Sequence, residues 1–121
     1  MANHLKLADT YYRLSDEEKK YKNESESITN QREIVRDYCR RHGIIIVKEF
    51  VDDGYSGGNF ERPGFQAMLE HLATGKANTV ITKDLSRLGR DMTESSYYAE
   101  RFFPEHDIHY LAPGNEFDSM G

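Results

Sequence analysis

Apolar positions along the chain follow two alternating rhythms. Leu5, Leu7, Ala8, Tyr11, Tyr12 and Leu14 crowd residues 5–14 and predict a first strand ending at Ser15. Ile28, Ile34, Val35, Tyr38, Cys39 and His42 then recur at helical spacing, with N-cap candidates at residues 27–30 and a stop at Gly43. The β-branched run beginning at Ile44 predicts a strand over residues 44–51. Phe65, Met68, Leu69 and Leu72 lie at i, i+3, i+4 and i+7, a helix opened by Pro63-Gly64 and closed by Gly75. A third strand over 77–82, a polar junction over 83–91, a helix over 93–105 and a fourth strand over 108–111, closed by Pro113-Gly114, complete the pattern. Strand and helix alternate, which predicts an α/β fold with a mainly parallel central sheet of about four to five strands.

Two stretches stand outside this rhythm. Residues 16–27 are dense in both signs of charge and poor in apolar side chains, and read as a charged mobile insertion. Residues 115–121 show no periodicity and read as the truncated C-terminal end of a longer chain. A length of 121 residues suits a single domain with one core. The lone cysteine, Cys39, excludes an internal disulfide or a CxxC metal site and fits a reducing cytoplasm; on an apolar helical stripe it reads as core. No apolar run approaches the roughly 20 residues that span a bilayer. Sixteen basic against 21 acidic residues give a net charge of −5, which is not the footprint of a self-sufficient nucleic-acid binder.

Candidate chemistry gathers where the strands end. Tyr11, Arg13 and Ser15 sit at period two on the first strand, so an arginine and a serine face the same way. Arg87 and Arg90 are three apart and share a face if their segment is a helical turn. Arg62 precedes Pro63 at a helix start. Converging guanidinium groups cannot shed their protons and call for an anion; phosphate matches their fork, and cations favour a serine as nucleophile. Taken singly, Arg87 and Arg90 are more simply paired with Asp84, Asp91 or Glu94 at the surface. Asp52 and Asp53 read as braces of the glycine-rich loop that follows them, and Tyr97, Tyr98, Phe102 and Phe103 as packing. None of the five histidines forms an HxxxH or HExxH pair, and His42 and His106 read as helix-end or surface residues.

Taken jointly, the motifs resemble a known family. The strand Tyr11-Tyr12-Arg13-Leu14-Ser15, then Gln31, then Ser56-Gly57 followed by Arg62-Pro63-Gly64-Phe65, then Ser86-Arg87-Leu88-Gly89-Arg90-Asp91, stand in the order of the serine recombinase (resolvase/invertase) catalytic domain. The charged insertion makes the chain most similar to large serine recombinases of mobile elements. The resemblance implies a resolvase-like three-layer sandwich. It implies Ser15 as the nucleophile that forms a 5'-phosphoserine link, Arg13, Arg62, Arg87 and Arg90 around the scissile phosphate, and Gln31 beside them. Asp53, Ser56, Lys83, Asp84 and Ser86 become supporting candidates; Ser86 stands where small resolvases carry an aspartate. It further implies no metal or other cofactor, double-stranded DNA as partner, a dimer that passes to a tetramer, and a DNA-binding region beyond this chain, so that the isolated chain binds DNA weakly. Competing readings are a magnesium-dependent nuclease using Asp52, Asp53, Asp84 and Asp91, and a non-catalytic α/β interaction module.

Overall fold

Five strands form one sheet: β1 (Leu7–Ser15), β2 (Ile45–Tyr55), β3 (Thr79–Ile81), β4 (His109–Ala112) and β5 (Phe117–Asp118), in the order β2-β1-β3-β4-β5. The computed structural model describes residues 5–15, 27–55 and 62–119, with the backbone alone at Ser15 and Tyr55. The expected insertion therefore falls outside the described residues except for Ser27, as does Ser56. β1 through β4 run parallel and β5 returns antiparallel to β4. The α/β class and mainly parallel sheet are as the sequence predicts.

Helices cover both faces. On one side α1 (Ile28–His42) is capped by the Ser27 hydroxyl, which accepts from the Asn30 N–H, and it ends at Gly43 with φ 67°. Val35 and Cys39 pack there on Ala8, Tyr12, Ile81 and Leu111. On the other side α2 (Pro63–Ala73) and the segment from 92 to 105 bury Phe65, Met68, Leu72, Ala99 and Phe103 against Tyr11, Val80 and Tyr110. The result is three layers.

Two elements differ from expectation. The helix over 93–105 is a short α3 (Met92–Tyr97), a π-helical turn Tyr98–Phe102 and a last turn α4 (Phe103–Glu105). Pro104 explains the break, because its ring would strike the carbonyl of Glu100 in a regular helix. The wider turn moves that carbonyl away, and the Phe103 N–H reaches back to Tyr98. The tail is also folded as far as 119: β5 seats Phe117 against the core, and His109 pairs with Asp118 across the strands. No helix among the described residues is long and apolar enough to cross a membrane.

The topology already places the site. β1 runs nine residues, but β3 pairs only with Ala8, Asp9 and Thr10, so the carboxyl end of β1 projects past its neighbour. The connection from β1 runs to β2 on one side and the connection from β2 crosses back to β3 on the other, so the strand order reverses here and the crevice between β1 and β3 opens at this point.

Candidate active site

The overhang of β1 is filled by side chains in place of a strand. Gln31, wholly buried on α1, accepts from the Arg13 N–H at 3.2 Å and donates to the Arg13 carbonyl at 2.9 Å, as a neighbouring strand would. Arg87 Nη1 donates to the same carbonyl at 2.8 Å. On the β2 side, the register shifts between Leu14 and Ser15: Leu14 lies opposite Asp53 and Ser15 opposite Tyr55, leaving Gly54 as the extra residue with φ 86°. This is a bulge, and only glycine takes that conformation without strain.

Residues 86–89 form the centre of the cluster. Arg13 Nη2 donates to the Ser86 carbonyl at 2.6 Å and the Gly89 carbonyl at 3.2 Å, while its Nε donates to the Arg87 carbonyl at 3.3 Å. Arg62 Nη1 donates to the remaining carbonyl, that of Leu88, at 2.6 Å. Guanidinium groups thus satisfy every carbonyl of the turn, and the turn in exchange fixes two arginines from distant parts of the chain. The segment is entered through a 3-10 turn, Leu85–Arg87, held from outside: Asn115 Oδ1 accepts from the Leu85 N–H at 2.6 Å, and the Gly114 N–H donates to the Lys83 carbonyl. A Cβ on Gly114 would lie 2.7 Å from the Lys83 carbonyl oxygen, so glycine is required for this approach.

Arg62 is held in the left-handed region with φ 47°, a conformation that costs a non-glycine residue about 1–2 kcal/mol. Its guanidinium carbon lies 3.8 Å from the Phe65 ring centroid. The helix that follows has no local cap at Arg62. Asp52 supplies one from β2: its carboxylate accepts from the Gly64 N–H at 2.8 Å, the Phe65 N–H at 3.0 Å and the Tyr11 hydroxyl at 2.7 Å. Burial, reinforced by the bond to Asp52, pushes the Tyr11 hydroxyl far up, so it stays a donor and not a base. A Cβ on Gly64 would fall 2.6 Å from the Val51 carbonyl oxygen, which explains the glycine of the Arg-Pro-Gly-Phe motif.

The structure brings Arg13, Gln31, Arg62 and Arg87 together beside the end of β1 and puts Arg90 at the rim. Several expectations change. Arg87 and Arg90 do not share a face: the 3-10 turn ends between them, burying Arg87 toward Arg13, whereas Arg90 is exposed and near Glu94. Arg87, 3.7 Å from Asp84, is therefore no surface ion pair, although Arg90 and Glu94 resemble one. Asp52 caps α2 and accepts from Tyr11, and the glycine-rich loop it was expected to brace lies, from residue 56 to 61, outside the described residues. Among the described residues no three acidic, histidine or cysteine side chains gather as a metal site. Asp53 is exposed on β2 beside the bulge. Ser86 donates to Asp84, and Lys83 enters through its backbone. The cap that Asp52 gives α2, the Tyr11 hydroxyl on that carboxylate, the nearness of Glu94 to Arg62 and the Asn115 contact with the turn are the features of this cluster that the motifs did not reveal. The signal for Asp52 was an aspartate before a helix whose own N-cap position is arginine.

The model of the resolvase N-terminal domain matches residues 8–112. The chain belongs to the resolvase N-terminal domain family. The fold agrees. The N-terminal catalytic domain of TP901-1 integrase superposes with TM-score 0.82 at 23% identity, over 96% of this chain and 83% of that one. A resolvase family site-specific recombinase from Streptococcus pneumoniae gives TM-score 0.77 at 22% identity, over 95% and 76%. In sequence, uncharacterized immunity region protein 3 of Bacillus phage phi105 is 34% identical over 73 residues, 60% of this chain and 87% of that protein. The chain thus has the family and fold of a serine recombinase catalytic domain, and in this resolvase-family fold the arginine turn sits at the β1/β3 crevice.

Proposed function

We infer that this domain cuts and rejoins double-stranded DNA through a covalent serine intermediate, as part of excision, integration or a related rearrangement of a mobile element. The observation that carries the reading is the Arg13 side chain: two residues before Ser15, it is bound to three carbonyls of the turn that presents Arg87 and Arg90. Arg62 docks on the same turn. A phosphate beside the end of β1 meets arginines from several elements.

In the proposed step the Ser15 oxygen forms a bond to phosphorus while the bond to the 3' oxygen breaks. The 3' oxygen leaves with its electron pair and takes up a proton, and the serine proton passes to water or a phosphate oxygen. The 5'-phosphoserine link conserves the bond energy, so rejoining the exchanged strand needs neither ATP nor metal. Gln31 and Asp52 act by placement, holding the Arg13 backbone and the start of the Arg62 helix. The active assembly we propose is a tetramer reached from dimers on DNA, working in the cytoplasm.

The test incubates the intact protein with duplex DNA carrying its target site, in the presence of EDTA, and looks for a protein–DNA adduct that survives denaturant. Wild-type protein is expected to form it and Ser15→Ala to form none. An adduct in Ser15→Ala, or one abolished by EDTA and restored by magnesium, would overturn the reading.

A further inference from the structure

Glu94 stands between two of the arginines assigned to the phosphate. Its Oε1 is 3.5 Å from Arg62 Nη2 and 3.9 Å from Arg90 Nε. The same oxygen accepts from the Arg90 N–H at 2.7 Å. Its position is set by the start of α3. Asp91 Oδ1 accepts from the Glu94 N–H at 2.9 Å, and Gly89 lets the helix approach so closely that a Cβ there would lie 2.6 Å from Ser95 N and 2.8 Å from Glu94 Cβ. The carboxylate is thus fixed by backbone rather than drawn in by the guanidinium groups.

This arrangement suits a charge that must later be exchanged. Arg62 is buried and docked on the Leu88 carbonyl, whereas Arg90 is exposed, and the Glu94 carboxylate is a partner that the two guanidinium groups share. The guanidinium distances exceed the about 2.7–2.9 Å of a charge-assisted hydrogen bond. These distances leave the guanidinium groups room for closer bonds to a phosphate oxygen.

Resting on the function inferred above, we propose that Glu94 is a positioning residue of the phosphate site, whose carboxylate holds Arg62 and Arg90 at the spacing that the scissile phosphate then takes over. Glu94→Gln keeps an acceptor for the Arg90 N–H and removes the charge. At saturating DNA the variant is expected to form the covalent adduct about a hundredfold more slowly, the scale of a misplaced catalytic group, with DNA binding and melting temperature unchanged. Glu94→Asp, which retains the charge at shorter reach, is expected to be faster than Glu94→Gln. In the free chain, the NMR signals of the Arg62 and Arg90 Nε–H groups are expected to move in Glu94→Gln while those of Arg13 and Arg87 stay. Wild-type adduct rates in Glu94→Gln, or no gain in Glu94→Asp, would overturn the proposal. If the wild-type protein forms no adduct, the functional reading fails separately, and unmoved Arg62 and Arg90 signals still overturn the role of Glu94.

Discussion

At Asp52 one carboxylate serves three donors in a position 1% exposed. Removing it leaves the buried Tyr11 hydroxyl and Phe65 N–H, and the half-buried Gly64 N–H, without their acceptor. Asp52→Ala is therefore expected to lower stability by about 2–4 kcal/mol, read from the urea midpoint and slope. Cys39 gives an opposite kind of prediction. Burial pushes its thiol up to about 11, so at pH 8 the folded protein resists iodoacetamide while urea-unfolded protein is alkylated fully; rapid labelling without denaturant would contradict the burial. The cluster of Arg13, Gln31, Arg62 and Arg87 was legible in the sequence because their types and order form recognisable motifs. Asp52 and Glu94 were not, because what makes them matter is a contact across the fold. Neither the start of α2 nor the nearness of Arg62 to Glu94 is written in local spacing.

Elements were legible to the extent that local pattern governs them. The long strands and α1 and α2 follow from β-branched runs, apolar periodicity and glycine stops. The 92–105 segment was legible as helical but not in its π turn, since the pattern of Tyr98 and Phe102 fits a regular helix and only the Pro104 ring forbids one. β5 was illegible because two residues carry no period; Phe117 finds its place through Tyr110, a tertiary contact. The clamp between α1 and β2 has a testable pH signature. Glu49 accepts from Arg36 Nε at 2.9 Å and Nη2 at 2.7 Å, and from the Tyr12 hydroxyl at 2.8 Å. The Arg36 hydrogen bonds chiefly hold its carboxyl below the ordinary 4.5. The unfolded chain then protonates first as pH falls, so this stabilisation is whole above that value and is lost on descending through the folded one. Urea midpoints should show Glu49→Gln less stable than wild type at pH 7, with the gap closing toward pH 3. A constant gap would mean that the carboxylate charge contributes nothing.

For the whole molecule, a net charge of −5 coexists with four arginines, Arg13, Arg62, Arg87 and Arg90, drawn from distant parts of the chain to one switch point of the sheet. Charge summed over the chain predicts weak general attraction to DNA, and it says nothing against phosphate chemistry at one place. The three layers meet at that place: α1 contributes Gln31, β1 contributes Arg13 and ends at Ser15, α2 is preceded by Arg62, and the 86–89 turn joins them. The most direct test of this account is to isolate the covalent product, digest the DNA and the protein, and locate the residual nucleotide by mass spectrometry. The account predicts a 5'-phosphonucleotide on the peptide containing Ser15 and on its hydroxyl oxygen. The nucleotide on any other residue, or attached through its 3' end, would contradict it.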